Sequence, residues 1–238
     1  MVFFCNFAVM KILVDDKIRE YTSEQIAQWL DELPKWRREQ ALSYKHDMGR
    51  RQSLLAYRLL CQGLREEYGI TEQPTFEYGE HGKPSVFLYP PSSGDLPQQQ
   101  TEHSNLMGGG GGGLHFSLSH CREAVACVID DKPCGIDIEC TERRVTDSLI
   151  HYSMNEEEQT SILRLPIGEG REGVFLRLWT QKEAVLKLMG TGIRDTMKDV
   201  LINCPYNIET KETDRWIMSV ATSRNHLPFP IAEGRLNG

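Results

Sequence analysis

The chain reads as an α+β protein, on three observations. Short apolar runs over Leu114–His120, Ala124–Ile129 and Gly135–Glu139 alternate as strands and are separated only by turn residues. Longer stretches with helical spacing flank them, from about Asp47 to Tyr68 before and about Glu172 to Met189 after. Between Pro90 and Gly113 all periodicity is lost in Pro, Ser, Gln and six consecutive glycines, a linker composition. That stretch predicts two domains, an N-terminal half over 1–113 and a C-terminal half over 114–238. Neither half visibly repeats the other.

The opening MVFFCNFAVMKILVDD has no basic region before its apolar run and no small-residue cleavage site, and it is too short to span a bilayer. It reads as a first buried strand of a cytoplasmic protein without a membrane segment. Thr22 or Ser23 can cap a helix carrying Ile26, Trp29, Leu30 and Leu33. Pro34 opens a second helix. In the long helix after it, Leu54, Leu55, Leu59, Cys61 and Leu64 are expected on the core side, with Gly69 as the stop. Short strands around Thr75–Tyr78 and Val86–Tyr89 flank a turn containing Gly82-Lys83-Pro84. The three runs after the linker are expected to form one antiparallel meander. A helix starting with Glu156, Glu157 and Glu158 comes after them. The long helix to Met189 is next, then two closing strands around Val200–Ile202 and Trp216–Val220.

With 238 residues, 39% hydrophobic and 26% charged, the chain can bury a sizeable core. The net charge of −7 argues against general nucleic-acid binding. Cys121, Cys127, Cys134 and Cys140 lack the paired spacing of a structural zinc site, so the seven cysteines read as free thiols in a reducing compartment. Charge is uneven all the same. Lys35, Arg37, Arg38, Lys45, Arg50, Arg51 and Arg58 face only Glu39 and Asp47 within that segment. This is either a solvated helix face or a cradle for phosphate groups or an acidic partner.

Chemistry concentrates in Gly135-Ile136-Asp137-Ile138-Glu139. Alternation puts Asp137 and Glu139 on one face of the strand and Ile136 and Ile138 on the other. Two carboxylates one pleat apart repel, and a hard divalent cation such as Mg²⁺ would relieve them; a solvated acidic face is the alternative. On the last helix, Glu183 and Lys187 share a face four residues apart. They are either a surface ion pair or a third carboxylate and a phosphate-binding lysine for the same site.

The pattern resembles the 4′-phosphopantetheinyl transferases. Gly135-Ile136-Asp137 matches their (V/I)-G-(V/I)-D motif, and Trp179-Thr180-Gln181-Lys182-Glu183-Ala184-Val185-Leu186-Lys187 matches (F/W)-(S/C/T)-x-K-E-(A/S)-x-x-K. Phe116-Ser117-Leu118-Ser119-His120 is similar to the family's F-x-x-S-H strand, and Gly82-Lys83-Pro84 to its G-K-P turn. The length indicates the larger, surfactin-synthetase-activating type. The resemblance implies a monomer of two similar halves, a pseudo-dimer with antiparallel sheets packed on helices. It implies transfer of 4′-phosphopantetheine from coenzyme A to a serine of an apo acyl or peptidyl carrier protein. It implies Mg²⁺ on Asp137, Glu139 and Glu183, with Glu183 and Lys187 as the catalytic pair. Lys83, Ser119 and His120 would hold the nucleotide end with its 3′-phosphate, Lys187 the diphosphate, and Arg37, Arg38 and Ser53 the phosphate and adenine side. Glu156 falls near a further glutamate position, and the insertion at 92–113 is longer than the family usually has. A coenzyme-A-binding regulator without transfer activity, or a nucleic-acid module using the 35–58 patch, would leave the acidic cluster unexplained.

Overall fold

The computed structural model of the chain describes residues 10–79, 83–87, 113–191 and 195–223. Residues 1–9, Gly82, the insertion up to residue 112 and the tail beyond Ser223, all of which carried expectations, lie outside the described residues.

Alternating apolar residues at Leu13, Cys127, Val125, Ile129 and Phe116 commit one face of a sheet to a helix, and the opposite face is apolar too. The first sheet contains β1 (Lys11–Asp15), β2 (Thr75–Tyr78), β3 (Pro84–Phe87), β4 (Leu114–His120) and β5 (Val125–Asp130) in the order β1-β5-β4-β3-β2, antiparallel throughout. Helices α1 (Ser23–Glu32), α2 (Lys35–Leu42) and α3 (Asp47–Tyr68) lie on one side of it. Thr22 closes a capping box with Gln25 at the start of α1, and Gly69 ends α3 in the left-handed region at φ 67°. Leu54, Leu55, Leu59 and Leu64 of α3 are buried as expected, and Cys61 packs at the margin of that core.

The second sheet contains β6 (Cys134–Cys140), β7 (Tyr206–Glu212) and β8 (Trp216–Ser223) in the order β6-β8-β7, again antiparallel. Helices α4 (Asp147–Ser153), α5 (Glu156–Leu163) and α6 (Glu169–Met189) belong to this part, and α6 covers the sheet's outer face. Between the sheets Ile12, Val14, Ala126 and Val128 meet Ile136, Ile138, Met218 and Val220. The result is four layers: helix, sheet, sheet, helix. All six residues of β5 are buried because both its faces are covered.

Two expectations need correction. The meander over 114–139 stops after two strands. β5 already pairs with β1 on one edge and β4 on the other, so β6 has no edge left there and crosses into the second sheet. Consequently β4 and β5 belong to the sheet of the N-terminal segment, and the first sheet runs past residue 113. The strand expected at Val200–Ile202 is a turn. Asn203 takes φ 52°, Pro205 comes two residues later, and the strand starts only at Tyr206. α4, too short for a periodic signal, was not anticipated.

Gly135 brings α6 down onto β6. A Cβ there would stand 2.0 Å from Ala184 O and 2.5 Å from Leu188 N, so only glycine permits this approach. At the other side of α6, Lys182 is fully buried. Its ammonium donates to Glu158 (2.6 Å) and to the carbonyls of Ser153, Met197 and Lys198 (3.2, 3.1 and 2.6 Å). Glu158 also closes the capping box of α5 with Asn155. One carboxylate thus joins α5 to α6.

Two outcomes are expected in chemical denaturation. Gly135→Ala should lose about 3 kcal/mol or more, since helix backbone rather than a pliable side chain must move. Lys182→Met should lose about 3–5 kcal/mol by leaving Glu158 and three carbonyls without their cation.

Candidate active site

The S-x-S spacing of β4 matches the pleat of β6. β6 is an edge strand, and its outward N–H groups are taken by hydroxyls: Ile136 N donates to Ser117 Oγ (3.2 Å) and Ile138 N to Ser119 Oγ (3.3 Å). Ser119 Oγ in turn donates to Asp137 Oδ1 (2.8 Å). The two sheets are therefore stitched together at the residue that was expected to bind metal. Asp137 is only 5% exposed, so the solvated acidic face does not exist.

Ser119, His120, Asp137, Glu139, Glu183 and Lys187 all line one open pocket of about 320 Å³, which Leu118, Arg143 and Trp179 complete. Size does not single it out. A cleft of about 370 Å³ beside α3 and one of about 560 Å³ beside α5 are larger. All three contain three carboxylates and at least one cation, but those of the two larger clefts are exposed, whereas in the smaller pocket Asp137 and Glu183 are buried and Glu139 is half-buried. Glu183 and Lys187 are not a plain surface pair: Lys187 Nζ reaches Asp137 Oδ1 at 2.7 Å, across from α6 to β6.

Charge in this pocket is strained. Burial, reinforced by the charge of Asp137, pushes Glu139 up to about 7, and Arg143 draws it partly back. Burial and Asp137 also raise Glu183. His120, at the pocket rim, is held below its ordinary value by desolvation and then by the Lys187 charge. Asp137 Oδ2 and Glu183 Oε1 are buried and have no hydrogen-bond partner. Buried orphan carboxylate oxygens are costly unless a cation takes them. They fit a hard divalent cation. Among the described residues no three acidic, histidine or cysteine side chains close into a metal cage by themselves. Mg²⁺ commonly completes its shell with substrate phosphates and water, so a partial protein shell is compatible with it.

Sequence reasoning missed Arg143. It sits in the irregular segment after β6, forms an ion pair with Glu139, and places its guanidinium 4.7 Å from the Trp179 ring centroid. The signal was faint, a basic residue four after a carboxylate but beyond the strand's end.

Other expected residues lie elsewhere. Lys83 donates from Nζ to Cys134 O (2.9 Å) and Leu188 O (3.0 Å), tying β3 to the start of β6 and the end of α6. Arg37 is buried, donates to Gln40 Oε1 and Ser53 O, and stacks 5.2 Å over Tyr57. Ser53 is buried in α3. Arg38 pairs with Asp31 and Arg58 with Glu32. The basic segment is thus answered partly by Asp31 and Glu32 of α1 and partly from within, by Glu39, Asp47 and the carbonyls of Tyr44 and Ser53, and Arg37, Arg38 and Ser53 do not line the pocket. Glu156 is exposed at the start of α5, away from the pocket; Glu158 is the glutamate built into the fold.

Similarity to known proteins points to the same elements. A profile described as the 4′-phosphopantetheinyl transferase superfamily matches residues 133–227, which span β6 to β8 with α6 between them. The 4′-phosphopantetheinyl transferase psf-1 of Bacillus pumilus is 30% identical over 189 residues, covering 79% of this chain and 69% of that protein. The 4′-phosphopantetheinyl transferase Sfp of Bacillus subtilis (strain 168) is 24% identical over 176 residues, 74% of this chain and 68% of its own. The 4′-phosphopantetheinyl transferase gsp of Aneurinibacillus migulanus is 34% identical over a shorter stretch of 82 residues, 34% of this chain and 33% of its own. With the motif residues gathered on the facing surfaces of β4, β6 and α6, the chain belongs to the 4′-phosphopantetheinyl transferase superfamily.

Proposed function

We propose that the pocket between β4, β6 and α6 transfers 4′-phosphopantetheine from coenzyme A to the serine of an apo acyl or peptidyl carrier protein. The observation that carries the assignment to this pocket is the pair of orphaned oxygens, Asp137 Oδ2 and Glu183 Oε1, opposite Lys187. Asp137, Glu139 and Glu183 would hold Mg²⁺, which when bound neutralises the diphosphate of coenzyme A and orients it for in-line attack. Glu183 takes the proton of the carrier serine hydroxyl, a role suited to a carboxylate whose proton affinity burial has raised. The serine oxygen bonds to the proximal phosphorus, the phosphoanhydride bond breaks, and adenosine 3′,5′-bisphosphate leaves. Lys187 gives up Asp137 and offsets the charge growing on the departing phosphate.

At the nucleotide end we assign His120 to the 3′-phosphate. Two of the three Lys83 N–H groups go to Cys134 O and Leu188 O, and we assign the third to the same phosphate. Ser119 is assigned to that end through its place beside His120, although its hydroxyl also orients Asp137. Arg37, Arg38 and Ser53 are left out of this assignment because their partners are inside the protein. We further read the two sheets, each with its long helix, as two similar halves of a monomer with the seam at the turn between β5 and β6. The six described cysteines carry no disulfide, which supports the cytoplasm as the working compartment. Among the described residues no helix is long and apolar enough to cross a membrane.

Intact-mass measurement of an apo carrier protein incubated with enzyme, coenzyme A and Mg²⁺ should show the phosphopantetheine increment. Asp137→Ala should abolish it, and wild-type rates in that variant would refute the assignment. Glu183→Gln should lower turnover and raise the Mg²⁺ requirement. Lys187→Ala should lower turnover and weaken coenzyme A binding, with metal dependence little changed.

Stability against pH gives a separate check. Glu139 protonates near 7 in the folded, metal-free protein and near 4.5 in the unfolded chain. The folded state therefore holds the extra proton between those values, and stability from this group falls as pH rises through that window. The fall should be shallower in Glu139→Gln. Identical slopes in the two proteins would show that Glu139 is not the group under strain.

A further inference from the structure

The metal reading of the pocket leaves Arg143 without a role. Its position is specific. The segment after β6 turns back on itself, with Arg143 N donating to Cys140 O (3.1 Å), and this returns the guanidinium to the carboxylate of Glu139. Trp179, one helical turn before Glu183 on α6, holds the guanidinium from the other side at 4.7 Å. Lys187 does the equivalent for Asp137. Each carboxylate of β6 is thus answered by one cation, and the oxygens left bare are the buried Asp137 Oδ2 and Glu183 Oε1.

We propose, resting on that metal reading, that Arg143 is the stand-in cation of the ligand-free site, holding Glu139 in place for a divalent ion and releasing it when that ion enters. Three physical points support the exchange. Without a counter-charge, Glu139 would be repelled by Asp137 one pleat away, so the ion pair with Arg143 keeps it aimed into the pocket. A guanidinium and a divalent ion cannot share one carboxylate without strong mutual repulsion in a half-buried site, so occupancy by one disfavours the other. Arg143 lies in an irregular segment with its side chain 31% exposed, so it can withdraw without unfolding a helix or strand. Lys187 has less freedom because its backbone is inside α6. The arrangement makes metal entry a competition, and Arg143 sets its strength. An ordinary exposed ion pair would have no such effect.

The test is metal binding in the absence of coenzyme A, which does not depend on turnover. Mn²⁺ is titrated into the purified full chain and into Arg143→Gln, Arg143→Lys and Asp137→Asn, with free Mn²⁺ read by electron paramagnetic resonance. Arg143→Gln should bind Mn²⁺ about tenfold more tightly than wild type, because a competing charge is gone. Arg143→Lys should stay near wild type. Asp137→Asn should lose binding. The rise in Tm caused by a fixed Mg²⁺ concentration should be larger in Arg143→Gln than in wild type, as tighter binding requires. Equal or weaker binding in Arg143→Gln, with Asp137→Asn still losing it, overturns the role of Arg143 and leaves the metal reading standing. Wild-type binding in Asp137→Asn takes down the metal reading and this inference together. If Arg143→Gln fails to fold, Arg143→Met is titrated in its place: tighter binding than wild type supports the role of Arg143, and equal or weaker binding overturns it.

Discussion

The contact on which the rest depends is that of α6 against β6 at Gly135. A side chain there would collide with the helix backbone at Ala184 and Leu188. Without one, the strand and helix approach closely enough for Lys187 on the helix to reach Asp137 on the strand. Trp179, Glu183 and Lys187 are spaced by four residues each and so fall along one face of the helix. The close approach lays that face over Asp137 and Glu139. Lys182, pointing elsewhere, fastens the helix to α5 and to the turn over Asp195–Asp199. Gly135 governs how close α6 comes, and Lys182 helps hold it there.

Two buried charge clusters on the same helix behave in opposite ways. Lys182 has a carboxylate and three carbonyls around it, so its charge is answered, although burial still holds it below the ordinary lysine value. The pocket on the neighbouring face has more carboxylate than cation, with two oxygens unanswered and two glutamates resisting ionisation. A structural cluster neutralises itself; this pocket leaves negative charge for an outside cation. That contrast, drawn within one helix, is why the pocket rather than Lys182 and Glu158 reads as the place of chemistry.

The serines of β4 connect the sheets to the pocket. An edge strand normally needs a neighbour, water or side chains for its outward N–H groups. Ser117 and Ser119 supply them at the two-residue repeat of both strands, and Ser119 then aims Asp137. A polar stitch inside an otherwise apolar interface sets the register of one sheet over the other. It also explains why this strand carries small hydroxyls where Phe116 and Leu118 face the opposite layer.

By itself the sequence determined the elements whose signal is local. The helical spacing of Leu54, Leu55, Leu59 and Leu64, the stop at Gly69, a cap at Thr22 or Ser23 (Thr22 in the structure), the acidic start of α5 and the shared face of Asp137 and Glu139 come from periods of 3.6 and 2 and from local capping chemistry. The motif residues of the pocket were legible for the same reason, since their spacing along one strand and one helix fixes their faces. Tertiary structure decided whatever depended on a distant partner. Whether β6 joined β5 turned on β1, more than a hundred residues earlier, having taken that edge. Whether Arg37, Arg38 and Arg58 were free turned on α1 and on Ser53 and Tyr57 of α3. Lys83 could reach carbonyls or phosphate, and Arg143 could reach water or Glu139; only packing chose. Periodicity tells which way a side chain faces, but a strand edge or a charge is satisfied by whichever group the fold brings near, and that group has no fixed spacing in the chain.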